Sequence, residues 1–316
     1  MSLELKRFGN IVELNSIDRV INHSNSCNID SHLFSLQYAP YSISPNGICR
    51  KPLKQLANFL KGKITHLNFH EIWIGAYPKA RLKEKSIGWI QQKEILRFIK
   101  KINPKFITTS NSAALHRLNS LGIQAKYLYL FGNIPYSANH RDADNEFVKV
   151  AFFGTLYSKF PYELLLEKIN LISKTIKKPV ELLFIGRQRE SSGIELLQKI
   201  TDKYKFSVKM SGEISSNLVS HEFQNADIGI CTTPYDILGK SGSCAAMLEH
   251  RLPVLAFDDG DTPSSELFII NEFNEQVFLL NDDYCHELII SYMQKQRKPY
   301  FDGVAYTAQK LLELYH

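Results

Sequence analysis

From residue 32 to residue 257 one pattern recurs. A short run of aliphatic, aromatic and β-branched residues is followed by a polar turn and then a stretch with helical spacing. In the first half the strand candidates are "HLFSLQYAP" (32–40), "ITHLNFHEIW" (64–73), "KFITTS" and "AKYLYLFG". Between them "KPLKQLANFLKG", "GWIQQKEILRFIKKI" and "NSAALHRLNSLG" read as helices, the last closed by Gly122. The second half runs "VKVAFFG" (148–154), "VELLFIG" (180–186), "FSVKMSG", "DIGICTT" (227–233) and "LPVLAF", with a helix in each interval. Parallel strands need a long crossover, and a helical crossover packs back on the sheet it serves, so this alternation predicts an α/β protein with parallel sheets covered on both faces. "NIPYSANHRDADNE" (133–146) has Pro, Asn, Asp and Ser and no apolar period, which makes it the linker candidate. Residues 1–140 and 146–300 are then two domains, and 301–316, with "TAQKLLELYH", supplies a C-terminal helix. A length of 316 residues fits two cores better than one.

Composition narrows the class. With 44% hydrophobic and 22% charged residues the chain is of ordinary globular type. No apolar run approaches the ~20 residues that span a bilayer, and "MSLELKRFGN" lacks the apolar core of a signal peptide. Five cysteines, Cys27, Cys49, Cys231, Cys244 and Cys285, are scattered and never form a CxxC pair. Free thiols in a reducing, cytoplasmic compartment fit this usage, and a zinc site does not. The net charge is +6, with much of the excess in "RKPLKQLANFLKGK" and "RFIKKINPK". Such runs read as solvated basic helix faces, or as attraction to an anionic lipid surface at the inner membrane face. No nucleic-acid motif accompanies the charge, so nucleic acid is not an expected partner.

The stretch "GKSGSCAAMLEHRLPVLAF" (239–257) carries the most chemistry. It is not a P-loop, because Pro234 stands where the first glycine belongs and has no N–H to offer a phosphate. Nor does any G-x-G-x-x-G follow a strand, which speaks against a dinucleotide-dependent oxidoreductase. What remains is a strand, a polar loop and a helix beginning near Ser241 to Ser243. A helix start exposes N–H groups and positive dipole, which suits a pyrophosphate, and Lys240 adds a full charge. Gly242 permits close approach, and Ser241 or Ser243 caps or donates. A capped turn with a solvated lysine fits the same residues. The other loops favour a ligand: Gly154, Thr155 and Lys159 follow the first strand of this half, Gly186 and Arg187 the second, Gly212 and Glu213 the third. Open α/β sheets bind ligands at that edge, and Lys159, Arg187 and Lys240 make the expected ligand anionic.

The segment "ADIGICTTPYDILGKSGSCAAMLEHRLPVLAF" resembles the donor-site segment of GT-B glycosyltransferases of the retaining glycosyl-transferase group 1 family. "VAFFGTLYSK" is similar to that family's "GRL…K" segment, and "NFHEIW" and "LYLFGNIP" resemble segments of its amino-terminal domain. The resemblance covers roughly residues 32 to 260. It implies the GT-B fold, two Rossmann-like parallel-sheet domains facing a cleft. It implies a hexosyl transferase that moves sugar, with retention, from a nucleotide-sugar donor on the carboxyl-terminal domain. The acceptor, a glycan, a lipid-linked group or another hydroxyl compound, belongs on the amino-terminal one. No cofactor or metal is implied, the nucleotide sugar being a co-substrate, and Asp258, Asp259 and Asp261 then read as a polar loop. By position Lys159 matches the family's phosphate-binding lysine, whereas Thr155 and Ala246 stand where an arginine and a donor-site glutamate are usual. Residues 1–31 show no opening strand with a Gly-rich loop, so the first domain is expected to be incomplete.

His70 and Glu71, at the end of "THLNFHEIW", are the catalytic candidates; they orient a hydroxyl or sugar, or else pin the following loop. Two other readings stand beside transfer. One is a non-catalytic relative that binds a nucleotide or a partner protein, and the other is a nucleotide-sugar epimerase.

Overall fold

The structure is a computed structural model, and it describes residues 1–8, 10, 12–22, 33–75, 80–138, 146–187, 201–258 and 271–315. The chain divides into two compact units. Met1–Tyr129 form the first together with the chain from Ala305 on, and Leu130–Gly260 with Leu267–Val304 form the second.

The first unit holds four parallel strands in chain order: β1 (Phe34–Tyr38), β2 (Thr65–Phe69), β3 (Phe106–Thr109) and β4 (Ala125–Tyr127). These are the four runs expected from the sequence. The crossovers carry the helices Arg50–Leu60, Leu82–Ile102 and Ser112–Ser120. In Arg50–Leu60 the apolar residues Leu53, Leu56, Ala57 and Leu60 recur at helical spacing, and all four are buried. They pack with Leu67, Phe69, Ile95, Phe98 and Leu118 in one core. The helix Leu82–Ile102 starts where the Glu84 carboxylate accepts from the Arg81 N–H at 2.9 Å, and it ends at Asn103 with φ +47°. Strand β1 buries Tyr38 and half-buries Phe34 and Leu36, while Ser35 and Gln37 point to the other, exposed face. Among the described residues, Met1 to Asn22 give the short helices Ser2–Arg7 and Ile17–Asn22, and no strand precedes Phe34. Residues 23–31, part of the stretch expected to lack a first strand unit, and Cys27 lie outside the described residues.

The second unit has six parallel strands: β5 (Val148–Phe153), β6 (Val180–Ile185), β7 (Ser207–Gly212), β8 (Ile228–Ile230), β9 (Val254–Ala256) and β10 (Val277–Leu279). They lie in the order β10-β9-β8-β5-β6-β7. Counted within the unit this is the Rossmann order. Its first and fourth strands, β5 and β8, are neighbours, and the chain reverses direction across the sheet between them. The core is built from inward residues of these strands, among them Val150, Phe152, Leu182, Phe184 and Ile228, against Leu165, Leu166 and Ile169 of the helix Tyr162–Ile176. Of the stretch 133–146 the residues up to Ala138 and Glu146 are described, and these belong to the second unit. Ser137 donates its N–H to Ser220 Oγ at 3.0 Å and accepts from Gln224 Nε2 at 2.7 Å. Tyr136 stacks on Tyr300. The last helix, Gly303–Tyr315, groups with the first unit from Ala305 on, where Thr307 Oγ1 donates to Tyr129 O at 3.0 Å.

Candidate functional site

In the second unit the carboxyl ends of three adjacent strands finish in glycine. Gly154 after β5, Gly186 after β6 and Gly212 closing β7 have φ of +89°, +103° and +61°, a region that strains any residue with a Cβ. They are linked through the sheet: Gly154 N–H donates to Ile185 O at 3.1 Å, and Gly186 N–H to Gly212 O at 2.8 Å. A Cβ on Gly186 would touch Gly154, and one on Gly154 would lie 3.6 Å from Ser243 Cβ. The loop after β5 therefore meets the helix that follows β8, at the point where the strand order reverses.

That helix is Gly242–Glu249, entered from a 3₁₀ turn, Tyr235–Lys240. Ser241 is its N-cap, its Oγ accepting from Cys244 N at 3.3 Å and from Thr233 Oγ1 at 3.3 Å and lying 3.1 Å from Ser243 Oγ. The N–H groups of Gly242 and Ser243 have no hydrogen-bond partner among the described residues, and a Cβ on Gly242 would meet nothing within 4 Å. Two donors at the positive end of a helix thus open onto unfilled space beside Gly154. Thr232, which the sequence reading passed over, ties the two loops together. Its Oγ1 donates to Thr155 O at 2.9 Å and accepts from Tyr157 N at 3.3 Å. A threonine directly after the apolar run of β8 was the available signal.

The charged residues are more dispersed. Arg187 and Glu213, read separately from the sequence, pair with each other at 2.8 Å; both side chains are more than 60% exposed, at 64% and 62%. An exposed pair of this kind contributes little to stability. Lys159 is exposed in the loop after β5, with no hydrogen bond or ion pair among the described residues, and Lys240 is exposed just before the cap. Glu249 is fully buried, its Oε1 accepting from Gly132 N at 2.8 Å. Gly132 presses on the same helix so closely that a Cβ there would lie 2.6 Å from Ala246 Cα. Asp258 exchanges hydrogen bonds with Asn281, whereas Asp259 and Asp261 lie outside the described residues.

In the first unit His70 and Glu71 follow β2. Both backbone N–H groups turn toward Tyr38 O, His70 at 3.0 Å and Glu71 at 3.5 Å. His70 Nε2 lies 2.8 Å from Gln37 Oε1. Burial lowers the His70 pKa, with the Glu71 charge opposing it. His66 and Asn68 share the strand face with His70, since alternate residues of "THLNFH" point the same way. That period was the signal for His66, a buried residue the sequence reading did not single out. Burial lowers its pKa to about 4.

No known family matches the sequence, and neither does any curated protein. Solved structures do match. HepE of Anabaena in complex with UDP and glucose is 14% identical, with a TM-score of 0.52 over 95% of this chain and 80% of that one. The same protein in complex with UDP gives 14%, 0.53, 95% and 81%. TarM of S. aureus, in complex with fondaparinux, alpha-GlcNAc-glycerol and UDP, is 17% identical over 80% of this chain at a TM-score of 0.43; the chain spans 48% of its length. The fold is the GT-B fold, α/β with two Rossmann-like parallel-sheet units. Among the described residues no helix is long and apolar enough to cross a membrane.

Proposed function

We propose that the chain is a glycosyltransferase that takes a hexosyl group from a UDP-sugar and places it, with retention, on a hydroxyl of a glycan or lipid-linked acceptor. The observation that carries this reading is the helix start at Gly242 and Ser243, with two N–H groups that have no hydrogen-bond partner among the described residues, opening beside Gly154 where the strand order reverses. HepE, of the same fold, has been crystallised with UDP and with UDP-glucose. In this reading those N–H groups, with Lys240 and Lys159, take the diphosphate and stabilise the charge that builds on it as the sugar leaves. Nucleotide binding then belongs to Gly154, Thr155, Lys159, Arg187, Glu213, Lys240, Ser241, Gly242 and Ser243, and no metal is needed. The first unit takes the acceptor, with His70 and Glu71 orienting its hydroxyl. The basic helices of that unit fit a protein working against an anionic membrane face in the cytoplasm.

Calorimetric titration with UDP and with uridine, followed by UDP-glucose turnover with and without added acceptor, tests the reading. UDP is expected to bind far more tightly than uridine, and turnover to rise with acceptor. Failure of UDP to bind would end the proposal. A second reading, binding without transfer, is favoured by Ala246. The family resemblance places a carboxylate there, and Gly132 lies directly against it. UDP binding with no turnover on any acceptor would select that reading, and turnover without acceptor would select an epimerase.

A further inference from the structure

One face of the first sheet carries a closed ring of side-chain hydrogen bonds across β1, β2 and β3. Gln37 Nε2 donates to Ser35 Oγ at 3.0 Å, and Ser35 Oγ lies 2.9 Å from His66 Nδ1. His66 Nε2 lies 2.8 Å from Thr108 Oγ1, which donates to Asn68 Oδ1 at 2.8 Å. Asn68 Nδ2 closes the ring on Gln37 Oε1 at 2.8 Å, and His70 Nε2 reaches that same oxygen at 2.8 Å. Parallel sheets of α/β proteins are ordinarily apolar on both faces, so five interlocked polar side chains here need a reason beyond folding.

Proton counting gives the ring a direction. Thr108 has one hydroxyl proton and gives it to Asn68, so its lone pair must receive Nε2–H from His66. His66 Nδ1 is then bare and accepts from Ser35, whose own lone pair accepts from the Gln37 amide. That turns the Gln37 carbonyl oxygen toward Asn68 and His70. A carbonyl oxygen only accepts, so at 2.8 Å it accepts a hydrogen bond from His70 Nε2–H. The longer 3.4 Å approach of Asn68 Nδ2 to that nitrogen is then a contact between two donors that both serve Gln37 Oε1. His70 Nδ1 is bare, the ring is half-buried, and Nδ1 has no hydrogen-bond partner among the described residues.

We propose that Gln37 is a positioning residue for His70: the ring locks His70 in the Nε2–H form, so that its Nδ1 lone pair accepts a hydrogen bond from a sugar hydroxyl. This deepens the transferase reading and rests on it for the identity of the hydroxyl, though not for the lock. Burial lowers the His70 pKa and so favours the neutral form that an acceptor must have. Among the described residues the charge that opposes this is the neighbouring Glu71, and His66, reached through the ring, is itself held neutral by burial.

The lock is tested by long-range ¹H–¹⁵N correlation on protein labelled at histidine, at neutral pH, with His70→Gln and His66→Gln supplying assignments. Both histidines are expected as Nε2–H tautomers. Gln37→Leu, at an exposed position, should move the two His70 nitrogens toward the averaged shifts of a tautomer mixture and lower turnover roughly tenfold, with UDP affinity unchanged. Gln37→Glu keeps an acceptor in place and should restore the Nε2–H signal while raising the pKa of His70. Nδ1–H at His70 in the unaltered protein, or His70 shifts that Gln37→Leu leaves in place, would overturn the proposal. Absence of UDP binding to the unaltered protein would instead overturn the transferase reading and leave the lock standing.

Discussion

Gly154 and Gly242 form a matched pair for separating fold from ligand. Gly154 needs its glycine for backbone reasons, at φ +89°, so Gly154→Ala should cost about 1–2 kcal/mol by thermal or urea unfolding. Gly242 has no such constraint and faces open space, so Gly242→Ala should leave stability unchanged or raise it slightly. Its methyl group would nonetheless stand over the helix start, and UDP affinity should drop roughly tenfold, or about 1.4 kcal/mol. A Gly242→Ala protein that binds UDP like its parent would place the diphosphate elsewhere. Lys240→Ala removes a charge-assisted contact, so UDP should weaken by about 1.5–3 kcal/mol while uridine is indifferent. Equal losses for both ligands would make Lys240 a support of the loop. The residue types in "GKSGS" were readable because a helix start after a strand is a local feature. The capping of the helix by Ser241 or Ser243 was readable for the same reason, its partner Cys244 N being three residues on from Ser241. The Arg187–Glu213 pair was not, since it depends on partners brought together by folding.

The helix Leu82–Ile102 shows what one element says on its own. Its buried residues Ile95, Phe98 and Ile102 face the core, while Leu82 and Trp89 are 82% and 62% exposed. Lys83, Lys85, Lys93, Arg97, Lys100 and Lys101 are on or near that outer side, and Lys93 Nζ lies 5.7 Å from the Trp89 ring centroid. An aromatic group among cations is how a helix meets an anionic interface. Sedimentation should therefore show binding to vesicles containing anionic lipid and not to neutral ones, weakened by salt and by Trp89→Ala. Equal binding to neutral vesicles, or none to either kind, would remove the membrane reading. Most of this helix was legible in the sequence through its 3.6-residue period from Gly88 on, but residues 82–87 were not, because "RLKEKSI" starts by capping and carries no apolar period. The strands were legible where their apolar runs were long. β10 was missed because only Val277–Leu279 pair in it, between polar turns.

At the scale of the whole molecule, each unit contains a histidine whose pKa burial brings down to about 4. His66 in the first is pressed by burial to a pKa of about 4. His250 in the second is also brought to about 4 by burial, its Nδ1–H donating to Ala246 O at 2.8 Å and its Nε2 lying 2.9 Å from Ser220 Oγ. In the unfolded chain both titrate near 6.5. Between these values the unfolded state binds protons that the folded state does not, so stability is full above about pH 6.5 and falls as pH drops toward 4. The fall is at most about 3 kcal/mol for each histidine. Both tryptophans, Trp73 and Trp89, lie in the first unit, so tryptophan fluorescence follows that unit alone while circular dichroism follows both. His66→Gln should flatten the acid limb of the fluorescence transition, and His250→Gln should leave it in place while flattening the remainder of the dichroism change. A fluorescence transition that answers to His250→Gln as strongly as to His66→Gln would show that the two units unfold as one cooperative body.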